Sequence, residues 1–544
     1  MRLRSRAATV LVVMTAWLPN SASGKDPNPS PSVADDFATA APAETLPAPI
    51  AGAVEAISAA AIGAHVRFLA SPALEGRGVG TRGVDAAAEY VAAALALAGV
   101  PPLGPGYFQT VPLREVTGLA GQVTVERREG DASRSRAFLS GVDCIFAEQA
   151  PQAIAAPVVF VGYGIRDERL ARDDYRGLDV RGAVVLVLAG VPVDPAWQKP
   201  ELLSRYASRD AEERWEVKLE TARSLGAAAV LGVEGDAFAT RDLGKDREAA
   251  RFFLPYDGTG AERAAPLVRV SPAVADALLG PGGGAERSQH PARLPGVAVT
   301  IRVTGSERAA SSRNVIGVLS GSDPSVRGEA VVVGAHMDHL GTTGGTVYPG
   351  ADDNASGTSS LVEIAKALAA LPAPPRRTVV IAFWTGEEEG HLGSAFYVGH
   401  PLWPLARTTA YLNLDMIGHP WSIDEIRKLV TDTGLPDGEA FLAKVKPTDF
   451  VEPGLPPGAG ELEKALRRSG HATGLALHFD RTDGLHGGSD YREFARSGVP
   501  FIRFFGNFFP AYHEPGDTAD ALDLAQVRRV ARLALATAWL VANR

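Results

Sequence analysis

Residues 329–341 read EAVVVGAHMDHLG. The small and β-branched run Ala330–Ala335 has the character of a buried strand, and His336, Asp338 and His339 follow where such a strand must end. Outward from it, strand-like and helix-like stretches alternate: RNVIGVLSG (313–321), SGTSSLVEIAKALAAL (356–371), RRTVVIAFWTGEEEG (376–390), TTAYLNLDMIG (408–418), VPFIRFFG (499–506) and a last helix near Ala525–Val541. This alternation predicts an α/β fold with a mostly parallel central sheet flanked by helices. Working residues of such sheets lie in loops beyond the carboxyl ends of the strands.

At 544 residues the chain exceeds what one core organises, so two or more domains are expected. Its 46% apolar and 22% charged residues are those of a folded protein. The net charge of −9 argues against a nucleic-acid partner, because phosphate binding needs concentrated Lys and Arg. Residues 1–24 carry Arg2, Arg4 and Arg6, an apolar run from Ala7 to Leu18 and the small-residue site Ala22-Ser23-Gly24, the order of a cleaved secretory signal. That run is short for a bilayer span and no later segment reaches transmembrane length. The expectation is an exported protein, periplasmic or extracellular, without stable membrane insertion once the signal is removed. Cys144 is the single cysteine, which excludes an intrachain disulfide.

Residues 25–54, rich in Pro, Ala and Ser, read as a linker. The first part of the main domain follows over 55–113, with a helix expected from Gly83 to Leu97 and stopped by Gly99 and Pro101. Residues 114–300 turn to short β-rich segments such as APVVFVGYGI (156–165) and VRGAVVLVLAGVP (180–192), with scattered acids and His, and read as an inserted module with its own core. The main domain resumes over 301–544.

Ligand-type side chains recur at the strand ends. In His-x-Asp both side chains of an extended chain point to one side, so Asp338 can steer the His336 ring. GADDNASG (350–357) places Asp352 and Asp353 together before a helix expected near Ser356; Asp353 or Asn354 can cap that helix, but two acids exceed what capping requires. Glu387, Glu388 and Glu389 follow a strand, where a run of acids needs compensation that a cation supplies. Asp415 sits in an apolar strand, and His513 in a Pro/Gly-rich loop before the last helix. Two His, three or more carboxylates and no Cys suit zinc better than magnesium or calcium. One zinc needs three of these residues; five with a shared carboxylate fit a two-metal site. Asp352 is the expected bridge, with Asp353 beside it.

These motifs, in this order, resemble the di-zinc aminopeptidases of metallopeptidase clan MH, family twenty-eight, over roughly residues 313–544. LASPALEGRGVGTRG (69–83) and YFQTVPL (107–113) look like that family's N-terminal segment. VVFVGYGI, DYRGLDVRGAVVLV and ARSLGAAAVLGV resemble a protease-associated domain inserted between the halves. The resemblance implies two zinc ions per chain, with His336 and Asp415 on one, Glu388 and His513 on the other, and Asp352 between them. It makes Glu387 the general acid/base for a zinc-bridging water, Asp338 the residue that orients His336, and Glu389 an extra acid. The implied substrates are peptides with a free N-terminus. Where relatives often have Ser-Asp-His, this chain has Ser489-Asp490-Tyr491, which bears on substrate contact; Tyr512 and His486 stand beside positions that steady an oxyanion. A carboxypeptidase, a glutaminyl cyclase or an inactive binding protein on the same scaffold are the alternatives. The cyclases keep one zinc, and an inactive scaffold would have lost ligands or the base.

Overall fold

Seven consecutive buried residues, Ala330–His336, form a strand with a parallel neighbour on each side, and Gly334 within it leaves room for the Tyr411 hydroxyl and the Trp384 ring nitrogen to close over the backbone. The computed structural model describes residues 33–38, 45–146, 152–207, 211–235, 250–255, 265–280, 290–485 and 488–544. The strands that organise it are β1 (Phe108–Glu129), β2 (Gln152–Phe160), β3 (Val184–Leu188), β4 (Ala229–Val233), β5 (Leu267–Val270), β6 (Ala292–Leu319), β7 (Ala330–His336), β8 (Thr378–Trp384), β9 (Thr408–Leu414) and β10 (Phe501–Phe504). The helices needed below are α1 (Arg82–Leu97), α2 (Ala211–Ser224), α3 (Gly357–Ala369), α4 (Leu392–Gly399), α5 (Tyr491–Arg496) and α6 (Leu524–Ala542).

The strands lie in the order β10-β9-β7-β8-β6-β2-β3-β4-β5. β8, β7, β9 and β10 run parallel, and β6 closes against β8 antiparallel. Alternation along each strand serves two faces. Val331, Val333, Val379, Ile381 and Leu412 join the core under α1, α3 and α6. Val332, Val380, Trp384 and Tyr411 point the other way, against Tyr397 of α4 and Phe494 of α5. Removing each fully buried Val, Leu or Ile from water contributes roughly 1.5–3 kcal/mol. The registers His336↔Trp384 and Gly334↔Asn413 therefore align three strand ends on one edge, and the polar loops beyond them meet there.

The middle region has cores of its own, one built on β2 to β6 with Val123, Phe138 and Leu278, another with Trp215, Tyr175 and Val185. β2, β3, β4 and β5 are mutually parallel, with the Trp215 face of α2 packed against them. The expected boundaries at 114 and 300 fall inside β1 and β6, which pair antiparallel from Val297↔Arg127 to Val315↔Phe108. A continuous ladder, with a register shift between Thr304 and Ser306, runs across both of these positions and joins the two parts.

The described part of the expected linker is packed. Phe37 and Ala38 pair with His478 and Leu477, and Ala48–Ala56 forms a helix whose Ile50 and Val54 enter the main core. Apolar anchors spaced through a Pro- and Ala-rich stretch account for the difference. Residues 1–24 lie outside the described residues. Among the described residues no single helix is long and apolar enough to cross a membrane.

Candidate metal centre

His336 is the last residue of β7; Glu387 and Glu388 lie in the turn between β8 and α4; Asp415 follows β9; His513 sits in the loop after β10. All five face one another. His336 Nε2 lies 3.2 Å from Asp415 Oδ1, 3.3 Å from Asp353 Oδ1 and 3.9 Å from Glu387 Oε2. On the other side, His513 Nε2 lies 3.0 Å from Asp353 Oδ2 and 3.1 Å from Glu388 Oε2. His336 with Asp353 and Glu388, and His336 with Glu387 and Asp415, form donor triplets tight enough to hold a metal ion.

The central carboxylate is that of Asp353, which corrects the expectation for Asp352. Asp352 points to the opposite side, where its Oδ2 is 2.6 Å from His419 Nδ1 and its Oδ1 accepts the Gly418 amide at 2.7 Å. Adjacent side chains of a non-helical segment diverge, and here the backbone turns Asp353 inward at φ −103°, ψ 95°. Asn354 supplies the expected cap, its Oδ1 accepting the Gly357 amide at the start of α3.

Asp338 is fully buried below the cluster. Its oxygens accept the amides of Glu387 (3.2 Å) and Glu388 (3.4 Å) and stand 3.9 Å from His336 Nδ1, whose nearer neighbour is the Asp338 carbonyl at 3.3 Å. It thus holds the Glu387 turn against β7. Tyr512 stacks on the His513 ring at 3.8 Å. Tyr491 is set in the core, its ring stacked on Phe501 at 4.8 Å and 3% exposed, so it presents no face to a substrate. His486 lies outside the described residues.

Several site residues carry no sequence signal that spacing could expose. His339 is buried with Nδ1 2.6 Å from Glu388 Oε1 and 3.7 Å from Asp353 Oδ2; its position in His-Met-Asp-His was visible, but not its direction. Asp517 accepts the amides of both Asp352 (2.8 Å) and Asp353 (3.1 Å). Arg77 is wholly buried and donates to the carbonyls of Leu69, Met337, Pro349 and Gly350, tying together the loops that carry His336 and Asp353. Burial lowers its pKa to about 10, although Asp338 and Asp353 oppose that.

The electrostatics call for positive charge. Burial drives Glu387 well above the usual carboxylate range, with Asp415, Glu388 and Asp353 adding to it against His336. Burial alone would lower the His513 imidazole, but Glu388 and Asp353 outweigh it and push it up to about 11. Burial and Asp353 would raise Glu388, yet His513 and His339 hold it at about 2. Glu388 and Asp353 thus draw a proton onto His513, as Glu387, Asp415 and Asp353 do onto His336. A set of carboxylate oxygens and imidazole nitrogens without thiolates fits zinc.

Residues 314–538 match the model of Peptidase family M28. The chain is 30% identical over 211 residues to the "probable leucine aminopeptidase 2" of Aspergillus oryzae, over 38% of this chain and 35% of that protein. It is 28% identical over 248 residues to the "Leucine aminopeptidase 2" of Arthroderma otae, over 42% of this chain and 44% of that one. The chain thus spans less than half the length of these curated relatives. Among solved structures, an aminopeptidase from Aneurinibacillus sp. strain AM-1 superposes with a TM-score of 0.50 at 19% identity, covering 89% of this chain and 94% of that one, a likeness of fold.

Proposed function

We propose that this chain is a zinc-dependent aminopeptidase that holds two zinc ions and removes N-terminal residues from peptides. The observation that carries the reading is the double-sided Asp353 carboxylate, with one oxygen 3.3 Å from His336 and the other 3.0 Å from His513. In this reading His336 and Asp415 hold one ion, Glu388 and His513 the other, and Asp353 serves both. When bound, the metal supplies a Lewis acid that makes water acidic near neutral pH and polarises a peptide carbonyl.

The chain's own residues do the rest. Glu387, buried beside His336, accepts the proton of the attacking water at its carboxylate and returns it to the leaving amine. Asp338 fixes that carboxylate through the Glu387 and Glu388 amides. A free α-amine of the substrate that pairs with this acidic site would restrict cutting to N-termini. The middle region is read as an inserted protease-associated module bordering this site. Export belongs to the same proposal, supported by Arg2, Arg4, Arg6 and the apolar run after them.

Zinc-loaded protein is expected to hydrolyse leucyl-p-nitroanilide and to leave its N-acetylated form intact; equal turnover of both would remove the aminopeptidase reading. Glu387→Gln is expected to keep its zinc while kcat falls by about 10²–10⁴. A variant that turns over normally would refute Glu387 as the base.

A further inference from the structure

The turn that carries Glu387 is held from outside the peptidase core. It reads Gly386-Glu387-Glu388-Glu389-Gly390-His391, and His391 adopts the left-handed conformation, φ 59°, ψ 33°. Glycine would sit there with less strain. The position gains an imidazole instead, and that imidazole is 5% exposed and aimed at the acids on either side. Its Nε2 lies 3.3 Å from Glu387 Oε1, and its Nδ1 lies 3.7 Å from Glu493 Oε1 on α5.

Glu493 stands among arginines that look toward the middle region. Arg492 Nε is 3.0 Å from Glu493 Oε1, and Arg492 Nη1 is 3.0 Å from Glu216 Oε1. Arg496 Nη2 is 2.7 Å from both Glu216 Oε1 and Glu220 Oε1. Glu216 and Glu220 are four residues apart on α2, as Arg492 and Arg496 are on α5, so two helical faces meet in register. α2 is itself anchored in the middle region, where Trp215, Leu219 and Ala222 enter the core. All four charged partners are partly shielded, with side chains 17% to 39% exposed, which spares their attraction from full solvent screening.

A second hold lies on the other side of the turn. The strand Arg251–Phe253 pairs with β1 at Val116 to Arg114, and the Phe252 amide donates to Glu389 Oε2 at 3.3 Å. The Phe252 ring packs with Val79, Val111, Leu113 and Leu392, the residue after His391.

We infer that the middle region is a positioning element for the general base: it holds the Glu387 turn through Glu216/Glu220, Arg492/Arg496, Glu493 and His391, and steadies it again through Phe252 and Glu389. His391 acts on the reaction through Glu387 and is therefore a positioning residue. The inference rests on the reading of Glu387 as the base. A base displaced by about 1 Å loses rate even when substrate and metal bind normally, so the effect belongs in kcat.

The test uses the full chain, loaded with zinc and assayed on leucyl-p-nitroanilide. Reversing the module charges (E216R with E220R) is expected to lower kcat about tenfold, with KM within about twofold and zinc content unchanged. E216D with E220D, which keeps both negative charges on α2, is expected to stay within about threefold of the parent. His391→Leu is expected to lose about thirtyfold in kcat, whereas His391→Gln, which keeps a side-chain N–H for Glu387, stays within about threefold of the parent. Unchanged kcat in E216R/E220R, or an equal loss in E216D/E220D, overturns the inference, and so does equal loss in the Leu and Gln variants. Glu387→Gln run alongside separates the two levels: normal turnover there removes the base assignment, while an inactive Glu387→Gln beside fully active module variants removes this inference alone.

Discussion

The sheet contains two arrays of parallel strands, β8-β7-β9-β10 and β2-β3-β4-β5, and they treat charge at their strand ends in opposite ways. Beyond β3, the buried Lys218 donates to the carbonyls of Leu188 (2.8 Å) and Gly190 (2.6 Å). Directly after β4, Glu234 accepts from the Trp215 indole at 3.0 Å and lies 3.4 Å from Arg269. That array carries its cations within itself. At the ends of β7, β8 and β9 the acids outnumber what the chain supplies, because the buried Arg77 uses its donors on backbone carbonyls. Parallel strands alone do not make a site. Acids brought together without an internal cation do.

The largest expected contrast is between neighbours. Asp353→Ala is expected to abolish zinc retention and lower turnover by about 10³-fold or more. Asp352→Asn keeps the metal and loses about 1–3 kcal/mol of stability through its bonds to His419 and Gly418. Metal analysis and thermal unfolding read both, and zinc loss in Asp352→Asn alone would reverse the assignment. Next, Arg77→Met takes the side-chain donor from the carbonyls of Leu69, Met337 and Pro349, while Gly350 keeps the Ala355 amide, and is expected to destabilise the protein by about 4 kcal/mol in denaturant titration. Glu234→Gln removes the negative charge facing Arg269 but keeps an acceptor for Trp215. It is expected to lower stability by about 2 kcal/mol and leave leucyl-p-nitroanilide turnover unaltered; a drop in turnover would tie that array to the chemistry. The smallest effect concerns Cys144, whose buried thiol is pushed well above its ordinary pKa, chiefly by burial. The native protein is expected to be silent to iodoacetamide and to react once unfolded.

Much of this was legible in the sequence. Apolar runs located β7, β8, β9 and β10, and the helix expected from Gly83 to Leu97 is α1, Arg82–Leu97. The expected last helix, Ala525–Val541, is α6, Leu524–Ala542. Polar residues at strand ends gather as a parallel sheet dictates. What escaped reading depends on direction rather than position. Two adjacent acids on a non-helical segment face opposite ways, and composition cannot say which faces inward, hence Asp353 where Asp352 was expected. Tyr491 looked like a substrate contact because of the loop before it, but its ring follows Phe494 into the core. Arg77 sits more than 250 residues from the carbonyls of Met337, Pro349 and Gly350, a separation no local pattern bridges.

The 28-residue strand β6 carries a mechanical consequence. One end is laced to β2 and the other to β8, so a load on the outer array travels along backbone hydrogen bonds to the strand that precedes Glu387. The middle region is built as a beam, not a pendant, and the slip in pairing between Thr304 and Ser306 is a notch about which that beam can twist.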